Sequence, residues 1–204
     1  YNSLQNKIEK KFNSEFKINL KILDDISLKI FPKPHYLVKQ ANLRLNSGDD
    51  KSSIIKVKNL KIFIPLKNLY FKKNVLINAF EINNTNIYFN IDDITDFRKH
   101  LYYKIHKPIY VKKSNFFFID KNKNTILISP IKNIKYSIKK KAKYKALKIK
   151  GNIFDIDYQS YWKRYYSDPK NSFNEIKFKN PNLFVKNFFK INDNLSFNGK
   201  SSID

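Results

Sequence analysis

Apolar residues along most of this chain alternate, skip two positions, and then alternate again. The cassette runs Tyr36, Val38, then Ala41, Leu43, Leu45. It returns as Ile55, Val57, then Leu60, Ile62, Ile64, and as Val75, Ile77, then Phe80, Ile82. Fainter copies are Ile109, Val111, then Ser114, Phe116, Phe118, and Leu147, Ile149, then Asn152, Phe154. A period of two is that of a β-strand with one face buried. The skipped pair reverses the parity, so a regular strand would turn half of its apolar set to solvent. A bulge avoids this by absorbing one extra residue and bending the strand. A tight corner between two short strands avoids it as well. The skipped pairs Lys58-Asn59, Asn78-Ala79 and Lys112-Lys113 are polar or small and suit either solution. Repeated bulges predict a mostly-β, curved, groove-like antiparallel sheet with one greasy face and one lysine face. The alternative is a sandwich or barrel whose greasy face is its own closed core.

Period-four spacing is confined to short stretches and predicts two or three short helices. Leu4, Ile8 and Phe12 predict a helix over 3–13, with Ser3 placed to cap it. Ile94, Phe97, Leu101 and Ile105 predict a second over 92–105, capped by Asp92 or Asp93 and followed by Pro108. A shorter one is expected over 158–165. These stripes read as packing surfaces against the sheet. Turn signals are few, chiefly Ser47-Gly48-Asp49-Asp50 and the Pro32/Pro34 pair, and nothing reads as a linker, so 1–204 is taken as one domain. The chain starts at Tyr1 and stops at Asp204 without cap signals, which reads as a fragment truncated at both ends.

Charge changes the picture less than its size implies. The chain carries 41 Lys and Arg against 17 acidic residues, a formal charge of +24, yet Arg44, Arg98 and Arg164 are its only arginines. Arginine's planar fork suits bidentate recognition of phosphates and bases, whereas lysine is a hydrated point charge. Lys, Asn and Ile, which have A/T-rich codons, are abundant, while Gly occurs only 3 times. Much of the charge therefore reads as nucleotide bias at solvent-facing positions, and nucleic acid is not the expected partner. Between Asp120 and Asp155 the chain is rich in lysine and free of acids. Its densest run, Lys139, Lys140, Lys141, Lys143 and Lys145, reads as a solvated hairpin tip or as a contact for anionic lipid headgroups.

The inventory for chemistry is thin. With no cysteine, disulfides, thiolate metal sites and cysteine nucleophiles are excluded. His100 and His106 are six residues apart and do not share a helix face as metal ligands at i and i+4 would. Asp24-Asp25, Asp49-Asp50 and Asp92-Asp93 are adjacent pairs that suit turns and caps. Asp155 and Asp157 have no third ligand nearby in sequence. No apolar run approaches the roughly 18 residues of a membrane-spanning helix. A non-catalytic chain without metal or cofactor is expected.

The order of segments resembles the N-terminal region of the AsmA family, bacterial envelope proteins that include TamB- and YhdP-like members. A short helix leads to Glu15 through Leu20, then to Ile26 through Ala41, with Phe31-Pro32-Lys33-Pro34-His35 following a strand. The strands around Ile64 to Leu69 and Val75 to Ile82 come next, followed by Ile109 to Asp120 and by Gly151 to Phe154 before a Tyr/Trp segment. After Ile82 the chain departs from the family pattern, with Asn84-Thr85 where a Pro is common. The resemblance implies an inner-membrane anchor upstream, a periplasmic location and no catalytic centre. It implies a β-groove of the β-taco type for bridge-like transfer of phospholipid acyl chains between inner and outer membrane, and support of outer-membrane assembly. Ile55, Val57, Leu60, Ile62, Ile64, Val75, Ile77, Phe80 and Ile82 are the expected groove residues, and the five lysines the expected contact with the anionic inner membrane. Other envelope proteins are further partners it implies. The alternatives are an interaction domain with a closed core and, behind it, a lysine-rich nucleic-acid-binding domain.

Overall fold

The chain opens with helix α1 (Asn2–Phe16), which runs a turn further than the spacing predicts and starts early enough that Ser3 lies inside its first turn. Ile8, Phe12 and Phe16 form its apolar stripe, all three fully buried. Lys17 ends it in the left-handed conformation (φ 54°) and donates its N–H to the Asn13 carbonyl at 2.8 Å, a common helix stop. Strands β1 (Ile18–Ile22), β4 (Ala41–Leu45) and β5 (Ile54–Val57) form a small antiparallel sheet in the order β1-β4-β5. In this computed structural model the described residues are 2–45, 54–69, 75–90, 105–168, 170–191 and 197–204.

The remaining strands form one 12-stranded sheet that does not close into a barrel. They are β2 (Ile26–Lys29), β3 (His35–Val38), β6 (Asn59–Phe63), β7 (Ala79–Asn83), β8 (Asn86–Asn90), β9 (Ile109–Ile119), β10 (Thr125–Lys139), β11 (Tyr144–Ile153), β12 (Ile156–Tyr165), β13 (Asn171–Phe178), β14 (Phe184–Ile191) and β15 (Phe197–Ile203). The order is β15-β14-β13-β12-β11-β10-β9-β7-β6-β3-β2, with β8 beside the far half of β9. Pairing is antiparallel except for β7 and β8, which both run parallel to β9. From β9 to β15 the sheet is a simple meander of neighbouring strands.

The protein is thus mostly β, as the alternation predicts, with one α-helix and a 3-10 turn (Leu66–Leu69) among the described residues. The helix expected over 158–165 is instead part of β12. Its Tyr158, Tyr161, Trp162 and Tyr165 sit at helical spacing, but strands on both sides claim the backbone, and aromatic residues fit a pleated surface well. The helix expected over 92–105 lies outside the described residues apart from Ile105, which is buried and not helical. The Ser47 to Asp50 turn also lies outside them.

The skipped pairs are resolved in both of the ways the pattern allows. In the first two cassettes the chain turns a corner and changes sheet, from β3 to β4 and from β5 to β6. The corner residues Lys39-Gln40 and Lys58 point to solvent and leave the apolar sets of both strands facing one interior. Further on, bulges take over. Asn84 (φ 51°) between β7 and β8 lies beside Lys113 (φ 47°) within β9, the β9–β10 register runs unbroken past this level, and the β10–β11 register shifts by one residue at Lys132. Three neighbouring strands are therefore irregular at one level and keep their apolar parity. Thr85 and Ser114, each 2% exposed, replace the lost ladder bonds there. Thr85 N–H donates to Ser114 Oγ (3.2 Å), and Ser114 Oγ–H donates to the Lys112 carbonyl (2.9 Å). The departure at Asn84-Thr85 is thus one half of a matched pair of kinks. In the last faint cassette there is no kink: β11 continues to Ile153, and Phe154, 79% exposed, sits in a two-residue hairpin turn with Asp155, both left-handed.

The core lies between the two sheets and under α1. Phe80 meets Phe12 and Phe16 with ring centroids 4.9 and 4.8 Å apart. Glu9 Oε1 accepts the Ile22 N–H (2.7 Å) and Gln5 Nε2 donates to the Ile22 carbonyl (3.0 Å), fastening the helix to β1. On the other face of β7, Glu81 is 5% exposed and paired with Lys112 (2.6 Å) and Lys61 (3.5 Å), with Asn83 Nδ2 donating at 2.9 Å. Burial works against its charge, but the two ammonium groups and the amide outweigh it and hold the carboxyl below its ordinary value. A carboxyl lowered by folding stabilises fully above its unfolded pKa, near 4.5, and that contribution disappears as pH falls through the lower folded value. Glu81→Gln is therefore expected to cost about 1–3 kcal/mol at neutral pH. The gap between variant and parent should close on acidification below that value, as measured by urea unfolding across pH.

Candidate functional site

The nine apolar residues expected to line a groove do not form one accessible face. Ile55 and Val57 belong to β5 in the small sheet, while Leu60 and Ile62 in β6 and Phe80 and Ile82 in β7 belong to the large one. They meet across the interior instead of lying side by side. Val57, Leu60, Ile62, Ile64, Ile77, Phe80 and Ile82 are at most 4% exposed, and Ile55 and Val75 pack against them. Val75, Ile77 and Ile64 lie outside strands. The physical reason is that α1 and the small sheet cover this part of the large sheet with their own apolar residues.

The same face continues beyond that cover. Register carries it from Phe80 and Ile82 to Ile109 and Val111 of β9, then to Ile134 and Tyr136 of β10. From there it passes to Leu147 and Ile149 of β11, Trp162 of β12, Ile176 of β13, Val185 of β14 and Ile203 of β15. Exposure rises along this path. Residues through β10 are buried, those from Leu147 to Val185 are half-buried, and Ile203 is 68% exposed. Among the described residues, the principal neighbours of β13, β14 and β15 are the adjacent strands of their own sheet.

One polar ladder crosses this face. Asn174 Nδ2 donates to Ser160 Oγ (3.1 Å), Asn187 Nδ2 to Asn174 Oδ1 (3.2 Å) and Ser201 Oγ to Asn187 Oδ1 (2.7 Å). The amides and hydroxyls are satisfied by each other, which lowers the cost of laying something apolar over them. Gly151 and Gly199 lie on this face too. A Cβ at Gly151 would come within 3.1 Å of the Tyr158 ring, and one at Gly199 within 2.9 Å of the Phe189 ring. The β10 copy of the cassette, Leu127, Ser129, Ile131, then Ile134, Tyr136, Ile138, contributes to this face and escaped sequence reasoning. Ser129 and Pro130 interrupt its apolar run, but the two-residue skip at Lys132-Asn133 was the available signal.

The lysine run divides. Lys139, Lys140, Lys141 and Lys143 occupy the exposed tip of the β10–β11 hairpin. Lys145 does not join them. It is 5% exposed on the inward face, opposite Ile138 and Arg164, and its Nζ donates to the Ile105 carbonyl (3.0 Å), which Tyr136 Oη also reaches (3.2 Å). Burial, and then the charge of Arg164, lower its pKa. Its parity with Leu147 and Ile149 turns it inward, so it cannot meet a membrane surface.

No constellation for bond-making chemistry emerges among the described residues, and no group of three or more His, Asp or Glu comes together there as a metal set. His35 is 5% exposed, with Nδ1 at 2.8 Å from the Lys33 carbonyl and its ring beside Phe63, a structural role at the start of β3. His106 is exposed, and His100 lies outside the described residues. Asp157 is taken up by an ion pair with Lys132 at 2.9 Å, and Asp155 by the hairpin turn. No helix among the described residues is long and apolar enough to cross a membrane. No protein-family model matches the chain, and no curated protein matches it either.

Proposed function

We propose that this chain is a non-catalytic lipid-handling module of the AsmA type, standing on the periplasmic side of a bacterial inner membrane. Its inward sheet face shields phospholipid acyl chains, and the lysine tip meets the anionic membrane surface. The observation that carries this is the graded exposure of one continuous apolar face. Its apolar positions are buried as far as β10, half-buried from Leu147 to Val185 and open at Ile203, while the polar Arg164 and Ser172 on the same face are buried. A closed sandwich needs a second layer over both halves, and the described residues supply one over the N-terminal half alone. The kinks at Asn84 and Lys113 and the register shift at Lys132 favour a sheet bent into a groove, which would wrap an acyl chain on its concave side. In this reading the groove begins where the cover ends, at β11, and the nine residues first expected to line it form the sealed core beside it. Support of outer-membrane assembly, through other envelope proteins, belongs to the same proposal.

A closed interaction domain is the second reading, and the buried N-terminal core favours it. Native mass spectrometry after purification without detergent separates the two. The groove requires a population carrying one or more phospholipid masses, and a chain found only lipid-free would leave the closed core as the better account.

A further inference from the structure

The outward face of the meander carries a feature that acyl-chain shielding does not use. At the end where the β10–β11 tip projects, the face opposite the apolar one presents aromatic rings interleaved with lysines. Lys163 Nζ lies over the rings of Tyr144 (4.6 Å to the centroid) and Tyr165 (4.3 Å), which are themselves paired across β11 and β12 at 5.8 Å. Register places Lys163 beside Phe173, Phe173 beside Phe188, and Phe188 beside Lys200. The Phe173 and Phe188 rings are 4.9 Å apart. Phe188 is 58% exposed, Tyr165 46% and Tyr166, just past the end of β12, 43%. A contiguous run of exposed rings at a lysine-rich end marks an interaction surface.

We propose that this outward aromatic–lysine surface, continuous with the Lys139 to Lys143 tip, is a docking surface for an anionic lipid bilayer. There Tyr165 and Phe188 seat at headgroup level and the lysines face the lipid phosphates. Tyrosine is favoured at membrane interfaces because its ring is apolar and its hydroxyl polar. Lysines close to an anionic leaflet are attracted by its surface potential. Charge complementarity is good at this end. Asp168 is engaged by Asn171 through its backbone N–H and side-chain amide, and Glu175 is half-buried one row further in. Stacked rings beside cations can also bind single-stranded nucleic acid. Against that, the only arginine on these strands, Arg164, is buried on the opposite face, and arginine is the better residue for phosphate and base recognition. The proposal deepens the membrane contact of the functional reading but does not depend on a lipid groove.

The test is co-sedimentation of the full chain with vesicles of phosphatidylcholine, alone and mixed with phosphatidylglycerol, beside a binding titration with polyuridylate. Binding to the anionic vesicles alone, weakened by salt, is expected. Lys139→Gln, Lys140→Gln and Lys141→Gln together should lower the affinity roughly a hundredfold, since each lysine near the surface contributes about fivefold. Phe188→Ser with Tyr165→Ser, both at exposed positions, should lower it further, with an unchanged circular dichroism spectrum. Lipid carried in solution by this double variant, read by native mass spectrometry, should match the parent, which separates failure of docking from failure of the groove. Equal binding to both kinds of vesicle, no vesicle binding, or aromatic variants that bind like the parent would overturn the proposal. Tight polyuridylate binding lost in the same variants would assign the surface to nucleic acid instead.

Discussion

Ile62→Asp should leave the chain unable to hold its N-terminal fold. Ile62 is fully buried in the middle of β6, between Tyr36 of β3 and Phe80 of β7, beneath α1. The change removes a packed aliphatic side chain, a loss of about 2–5 kcal/mol when a cavity results. It also places a carboxyl among the apolar side chains of Phe80, Leu60 and Val38, adding several kcal/mol more unless the group is paired or protonates. Against a typical total stability of about 5–15 kcal/mol, the sum unfolds the domain or brings it to the edge. A fall in melting temperature of more than about 10 °C, or no cooperative transition at all, is expected by circular dichroism. A variant that melts within a few degrees of the parent would show that α1 and the small sheet do not seal this face in solution.

Val185→Asp should do the reverse, leaving the fold and removing the lipid. Val185 lies on the same continuous face, between Ile176 of β13 and Ile203 of β15, but it is only half-buried and its strand has no covering layer among the described residues. An aspartate there keeps access to water and costs about 1 kcal/mol, a typical value for a single substitution. A few degrees of melting temperature is the expected change. A charge in the path of an acyl chain, however, must be desolvated whenever lipid binds. Phospholipid recovered with the variant should fall to background while the far-ultraviolet spectrum stays that of the parent. Undiminished lipid on a folded Val185→Asp chain would place the lipid elsewhere, and unfolding would mean that β14 is part of a closed core.

The contrast between these two positions shows what the sequence could and could not reveal. Alternation made β3 to β7, β9 and β11 legible, and Ile8 and Phe12 made the helix legible. The skipped pairs were visible too, but a skip has the same pattern whether the chain turns a corner into another sheet or bulges within one. At Lys39-Gln40 it does the first and at Lys113 the second. Which occurs depends on partners far away in sequence. Ile55 and Ile62 therefore looked like neighbours on one face although they sit in different sheets. Between 158 and 165 the aromatic spacing fitted a helix, and the pairing of β12 on both edges decided otherwise. Lys145 was grouped with the tip lysines by charge, whereas its parity with Leu147 and Ile149 already placed it inward. The exposed face from Leu147 to Ile203 could not be picked out, because half-buried and buried apolar positions share one period and differ only in what packs above them.

The most direct test uses that parity. A photoreactive phenylalanine analogue is placed singly at Ile149 and Val185 on the inward face, and at Lys148 and Lys186, their outward-facing neighbours in β11 and β14. The lipid-loaded chain is then irradiated in solution, free of vesicles, and crosslinked phospholipid is read by mass spectrometry. Crosslinks at Ile149 and Val185, with none at Lys148 and Lys186, are the result expected of an acyl-chain groove on the inward face. Crosslinks of equal yield at all four positions, or at the two lysine positions alone, would contradict it.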